Sequence, residues 1–172
     1  LGADHPTVAR ADYNIAIVYV DQGDYTRAKP LLERSLDASR RSMGADNKLA
    51  AHILTALAAI ARHEHRLPEA IDLSKQALAM TEKLFGPEHA DLISPLTTLG
   101  DVLLDANDPR AALEPLQRAM RLQGDGGEPG ARAITLFAHA RASWLTNRDR
   151  EQALQHVREA RDLIAPLETS DE

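Results

Sequence analysis

The chain has 172 residues, 44% of them hydrophobic but only 3% aromatic, and a formal net charge of −6. That acidic balance argues against nonspecific DNA or RNA binding, which needs a basic surface. With no cysteine, disulfides and thiolate metal sites are excluded, and no apolar run approaches the roughly 20 residues of a membrane-spanning helix.

Ala and Leu dominate the apolar residues, a mix that suits closely packed helices. In chain order, Val8, Ala11, Ile15, Ala16 and Tyr19 recur at helical spacing. Gln22-Gly23-Asp24 then reads as a turn, with Gly at a left-handed C-cap and Asp at an N-cap. A second helix carries Ala28, Leu31, Leu32, Ser35 and Leu36 and ends near Met43-Gly44. Ile53, Leu57, Ala58 and Ala61 mark a third helix, followed by a turn near His65 and a fourth helix on Ala70, Leu73, Ala77 and Leu78. Leu92, Leu99, Gly100 and Leu103 make a fifth. After the turn Asn107-Asp108-Pro109, Ala112, Leu116, Ala119 and Met120 make a sixth. The seventh is marked by Phe137, Ala140 and Trp144, and the eighth, after Asn147-Arg148-Asp149, by Ala153, Val157 and Ala160.

These helices repeat as pairs. Gly2-Ala3-Asp4-His5, Gly44-Ala45-Asp46-Asn47 and Gly86-Pro87-Glu88-His89 stand 42 residues apart, as do Ala28, Ala70 and Ala112, with Ala153 after a further 41. A fixed period in this range predicts an array of stacked supersecondary units, and with it an extended binding surface in place of a catalytic cleft. The expected units are 2–43, 44–85, 86–127 and 128–166, with a polar tail at 167–172. The glycine-rich run from Gly124 to Gly130 loosens the joint before the fourth unit. Leu1 stands in the column of Met43 and Phe85, so the chain is expected to be a fragment of a longer protein. Sixteen Arg against four Lys suggest a GC-rich bacterial source, and the expected compartment is the cytoplasm.

Three columns of small residues carry a family resemblance: Ala16, Ala58 and Gly100; Ala28, Ala70, Ala112 and Ala153; and Ser35, Ala77, Ala119 and Ala160. They match the tetratricopeptide pattern. The 42-residue spacing, the joint Leu1-Gly2-Ala3-Asp4-His5-Pro6 and the run Asp21-Gln22-Gly23-Asp24-Tyr25 resemble the kinesin-light-chain type of repeat. In the fourth unit this alignment puts Arg141 in a normally small column and Trp144 in the core column of Tyr19 and Leu103. The resemblance implies an all-α, right-handed α-solenoid of about four tetratricopeptide helix-turn-helix units, serving as a protein-interaction scaffold. Kinesin-type repeats hold peptide backbone with paired Asn, and here the columns read Tyr13-Asn14, Thr55-Ala56 and Thr97-Thr98, so only Asn14 matches. Relatives that clamp a C-terminal carboxylate use Lys and Asn where this chain has Tyr13 and Ile17.

First helices line the concave face of such an array. The residues flanking the small column are Arg10, Tyr13, Asn14 and Ile17, then His52, Thr55, Ala59 and Arg62, then Ser94, Thr97, Thr98 and Asp101, then Thr135, Ala138, His139 and Ala142. Apolar pockets beside hydrogen-bonding groups suit a peptide or partner segment. The expected groove residues are Arg10, Tyr13, Asn14, Ile17, His52, Thr55, Arg62, Ser94, Thr98, Asp101 and His139. The partner is a protein or peptide, with neither nucleic acid nor membrane, and a homo-oligomer is compatible with the pattern. The alternatives are a self-associating or spacer module of a larger signalling protein, or a peptide-responsive sensor.

No catalytic set stands out. His63-Glu64-His65 falls at a turn and lacks the two-His, i and i+4 spacing of a helical zinc site. His5 and His89 recur by repeat and read as helix-start contacts. The glycines of 124–130 lack the Gly-Lys-Ser/Thr of a phosphate loop. No nucleophile, base and orienter come together, so an enzyme, a metal site and a cofactor are not expected.

Overall fold

A computed structural model of the chain describes residues 5–124 and 126–168. The joint Gly2-Ala3-Asp4 and the tail residues 169–172 lie outside the described residues. Among the described residues, eight α-helices form four pairs: α1 (Pro6–Asp21) with α2 (Tyr25–Met43), α3 (Lys48–His63) with α4 (Leu67–Phe85), α5 (Ile93–Asp105) with α6 (Pro109–Gln123), and α7 (Pro129–Leu145) with α8 (Arg150–Glu168). A short 3-10 turn, Ala90–Leu92, leads into α5. Among the described residues there is no strand. The last helix runs two residues beyond the expected end of its unit at 166. The helices cluster into two compact units, residues 1–87 and 88–172, each holding two pairs.

The joints recur because the same capping chemistry recurs. His5 Nδ1 accepts from the Thr7 amide at 3.2 Å, and His89 Nδ1 accepts from the Asp91 amide at 3.1 Å. Asn47 Oδ1 accepts from the Ala50 amide at 2.8 Å, and Glu128 accepts from the amides of Gly130 and Ala131. Each satisfies an amide that a helix start leaves without a partner. Gly44 and Gly86, at φ 92° and 86°, end the second helices in a conformation that costs other residues strain.

Inside the first three pairs the turn is equally regular. Gln22, Glu64 and Ala106 end α1, α3 and α5. One left-handed residue (Gly23, His65 or Asn107) separates each from Asp24, Arg66 or Asp108 at the next helix start. The amides of Asp24, Arg66 and Asp108 reach back to the carbonyls of Tyr19, Ala61 and Leu103, a Schellman-type closure. The fourth turn departs from this. Thr146 ends α7, and two residues, Asn147 and Arg148, precede Asp149, whose Oδ1 accepts from the Gln152 amide at 3.0 Å. Arg148 makes the Schellman bond, to the Ser143 carbonyl.

That extra residue changes the register of α7. Matching closures place α7 40 residues after α5, while α8 follows α6 by 41. Ala140 therefore fills the small column of Ala16, Ala58 and Gly100, and it is buried. Arg141 stands one residue beyond that column and is exposed, pairing with Asp105 at 3.2 Å. Trp144 stands in the column of Leu104 and is 45% exposed, with the Arg150 guanidinium 4.8 Å from its ring centroid. It is not a core residue as expected. Ser143 takes the inward place of Leu103 and is buried.

In both units, the first helix of the second pair is seated on the pair before it. Ile53, Leu57 and Ile60 of α3 cluster with Ala16, Ala28 and Leu32. Ala138 and Ala142 of α7 cluster with Leu104, Ala112 and Leu116. The small columns admit close contact inside a pair: a Cβ built on Gly100 of α5 would overlap the Leu116 side chain of α6. Polar bridges add direction. Buried Ser35 donates to the Ala9 carbonyl at 2.6 Å, and buried Asp12 accepts from Arg34 Nε and Nη2 at 2.6 and 2.5 Å.

Candidate partner-binding surface

Four of the expected groove residues meet in the first unit. Arg10, Tyr13 and Asn14 of α1 and His52 of α3 line a recess of about 320 Å³, together with Met43, Asn47, Lys48 and Leu49. Helical spacing puts Arg10, Tyr13 and Asn14 on one side of α1, and the seating of α3 on α1 and α2 brings His52 across from them. The Tyr13 and His52 rings lie 6.3 Å apart at 36°. Burial raises the Tyr13 phenol above its ordinary pKa, so it stays a neutral hydrogen-bonding group on an apolar ring. The lining offers basic and neutral polar groups on an apolar floor of Met43 and Leu49, with no carboxylate among its described residues.

The other expected residues are placed differently. Ile17, Thr55 and Arg62 are half-buried and lie outside this recess, and Thr55 Oγ1 donates to the Ala51 carbonyl at 3.1 Å. In the second unit Ser94 is exposed, while Thr98 and Asp101 are half-buried. His139 is buried, its Nδ1 3.3 Å from Nδ1 of His156 on α8, so it is not displayed for a partner. Thr135, Ala138 and Ala142 are buried with it, and the Thr135 hydroxyl meets that of Thr97 at 3.1 Å. The one-residue register change explains this. The columns of Arg10, Tyr13 and Ile17 arrive in α7 at Ile134, Phe137 and Arg141, and all three are exposed. Sequence reasoning missed Phe137 as a surface residue. Aligning the small column on Ala140 in place of Arg141 would have found it.

The histidines near the second turn do not gather a metal-binding set: no group of three or more His, Cys, Asp or Glu suited to a metal occurs among the described residues. His63 stacks on Tyr25 with centroids 4.6 Å apart, and Glu64 pairs with Arg66. No helix among the described residues is long and apolar enough to cross a membrane.

The tetratricopeptide repeat family model matches residues 7–70 and 49–125. No curated protein matches the chain. Among solved structures, BtubC (BKLC) from P. vanneervenii is similar with a TM-score of 0.79 at 20% identity, over 95% of this chain and 66% of that one. The chain thus spans about two thirds of BtubC. A kinesin light chain-like protein of Podosopora anserina with nearly identical TPR-like repeats gives a TM-score of 0.71 at 20% identity, over 99% of this chain and 81% of that one. A second structure of that protein gives 0.68. Repeats of this family are generally protein-interaction modules, on a fold that is typically a non-enzymatic scaffold. With four helix pairs, capped joints on a 42-residue step and a family match across most of its length, the chain belongs to the tetratricopeptide repeat family, with structural neighbours of the kinesin-light-chain-like type.

Proposed function

We propose that the chain is a non-catalytic scaffold that captures a segment of a partner protein in the recess between α1 and α3. One observation carries the reading. The recess joins Arg10, Lys48 and His52 to Tyr13, Asn14 and an apolar floor, with no acid among the described residues of its lining. The protein as a whole carries a charge of −6, so this local basic character runs against the average. A neutral-to-acidic segment with an apolar anchor is the complementary ligand, and its charge acts mainly on specificity and association rate. Tyr13 and Asn14 supply the anchor contact and a hydrogen bond that sets register.

The test is a displayed library of random peptides panned against the chain. Enriched sequences are expected to be acidic with an apolar residue, and to lose binding to Arg10→Glu and to Tyr13→Ala while circular dichroism stays helical. Enriched peptides that bind both folded variants as well as the parent would move the site elsewhere. A parent that enriches no peptide would favour the spacer reading.

A further inference from the structure

The second helices of the first two pairs leave a furrow between them. α2 and α4 each pack on α3 and not on each other. The gap is a recess of about 500 Å³, a size that takes a few side chains of a bound ligand. Arg40 near the end of α2, Ala45 and Asp46 in the joint, and Ala79, Met80 and Lys83 on α4 line it. Both walls are internal to the first unit.

The charges of the furrow do not balance. Lys83 pairs with Asp46, the acid among the described lining residues. Arg40 is left over: its Nε is buried and has no hydrogen-bond partner. A buried donor on a cation with no acceptor is costly and rare in folded proteins. Other arginines of this unit, Arg27, Arg34 and Arg66, all hold carboxylates. Nor does the repeat require a cation here. Forty-two residues on, the place of Arg40 is taken by Glu82, and α4 still ends at a positive-φ glycine, Gly86, as α2 does at Gly44. The cation that favours a helix C-terminus is supplied by the next position, Arg41 in α2 and Lys83 in α4.

We infer that this furrow is a second docking site, for a partner-protein segment that carries a carboxylate beside an apolar residue. The carboxylate accepts from Arg40 Nε and a terminal nitrogen of the same guanidinium, the two-pronged pairing that arginine favours. The apolar neighbour rests on Ala45, Ala79 and Met80, and methionine adapts readily to a partner's shape. One carboxylate matches the one surplus charge, whereas a phosphoryl group, at about −2, overfills it. The furrow shares no described lining residue with the α1–α3 recess, so the two sites stand or fall separately.

The test pans displayed random peptides against the Arg10→Glu chain, in which the α1–α3 recess is silenced, and synthesises those enriched. They are expected to carry Asp or Glu beside an apolar residue. Adding Arg40→Gln should weaken their binding roughly tenfold or more, with circular dichroism still helical. Arg40→Glu, which copies the residue at the equivalent place in α4, serves if Arg40→Gln misfolds. Adding Asp46→Asn, which releases Lys83, should tighten binding of the same peptides. Peptides of the α1–α3 recess are recognised by their dependence on Arg10 and Tyr13, so that reading can fail while this one holds. The inference would be overturned by any of four results: no enriched peptide, binding undiminished by the Arg40 variants, binding weakened by Asp46→Asn, or tighter binding when phosphoserine replaces the acid.

Discussion

Leu116 lies directly against the bare Cα of Gly100, so that a Cβ at position 100 would overlap its Cγ and both methyls. Two effects compete in Gly100→Ala. Ala favours a helix interior over Gly by about 1 kcal/mol, while overpacking a tight contact costs about 1–3 kcal/mol. The backbone at Gly100 is helical and Leu116 is fully buried, so its side chain has little room to yield. The expected outcome is a net loss of stability, read as a lower urea midpoint with an unchanged slope. A gain would show that Leu116 turns aside at little cost.

Ala58 and Ala70 are the corresponding small residues of the second pair, and neither is exposed. Ala58→Leu and Ala70→Leu should each lower stability by about 1–3 kcal/mol through overpacking. Midpoints equal to the parent's would remove these residues from the helix contact.

Asn47 is nearly buried and serves two ends at once. Its Oδ1 caps α3 through the Ala50 amide, and its Nδ2 donates to the Gly44 carbonyl at 2.8 Å at the end of α2. Asn47→Ala should cost about 1–2 kcal/mol. Asn47→Asp keeps the acceptor and loses the donor, so thermal unfolding should place it between the parent and the Ala variant.

His139 and His156 predict an acid-side loss of stability. Burial lowers the pKa of His139, helped by the neighbouring charge of His156. Burial lowers that of His156 too, against the opposing pull of Glu159 and Asp149. The native chain therefore binds protons less readily than the unfolded one. The stabilisation is complete above the ordinary histidine value and is lost as pH falls through the lowered native values. The melting temperature of the parent should fall from about pH 7 to about pH 5. The fall should be shallower in a His139→Gln, His156→Gln double variant, and an equal slope would show that the pair does not contribute.

The fold was legible because its signals are local and redundant. Asp24 and Asp108, Gly44 and Gly86, and His5 and His89 each mark a helix end by chemistry that needs no knowledge of the rest of the chain. The candidate surface was legible in the first unit, where Arg10, Tyr13, Asn14 and His52 come together as the spacing suggested. It failed at His139 and Trp144. A helix turns about 100° per residue, so the single unmatched residue between Thr146 and Asp149 was enough to exchange an inward face for an outward one. Composition at Trp144 could not correct this, since a large aromatic suits a core and an interface equally.

The doubled turn at Asn147 and Arg148 bears on how such chains tolerate changes of length. Side chains cap the starts of α1, α2, α3, α6, α7 and α8, and α1 to α7 each end at a positive-φ residue, so an added amino acid between two helices is absorbed where it falls. Neither neighbour is forced to rotate. Insertions and deletions should accordingly be nearly silent at the turns and severe inside the helices. Duplicated copies of one ancestral pair can then drift apart in length while keeping every contact. Their kinship survives in the order of caps and small residues long after the ruler of a fixed period has stopped measuring it.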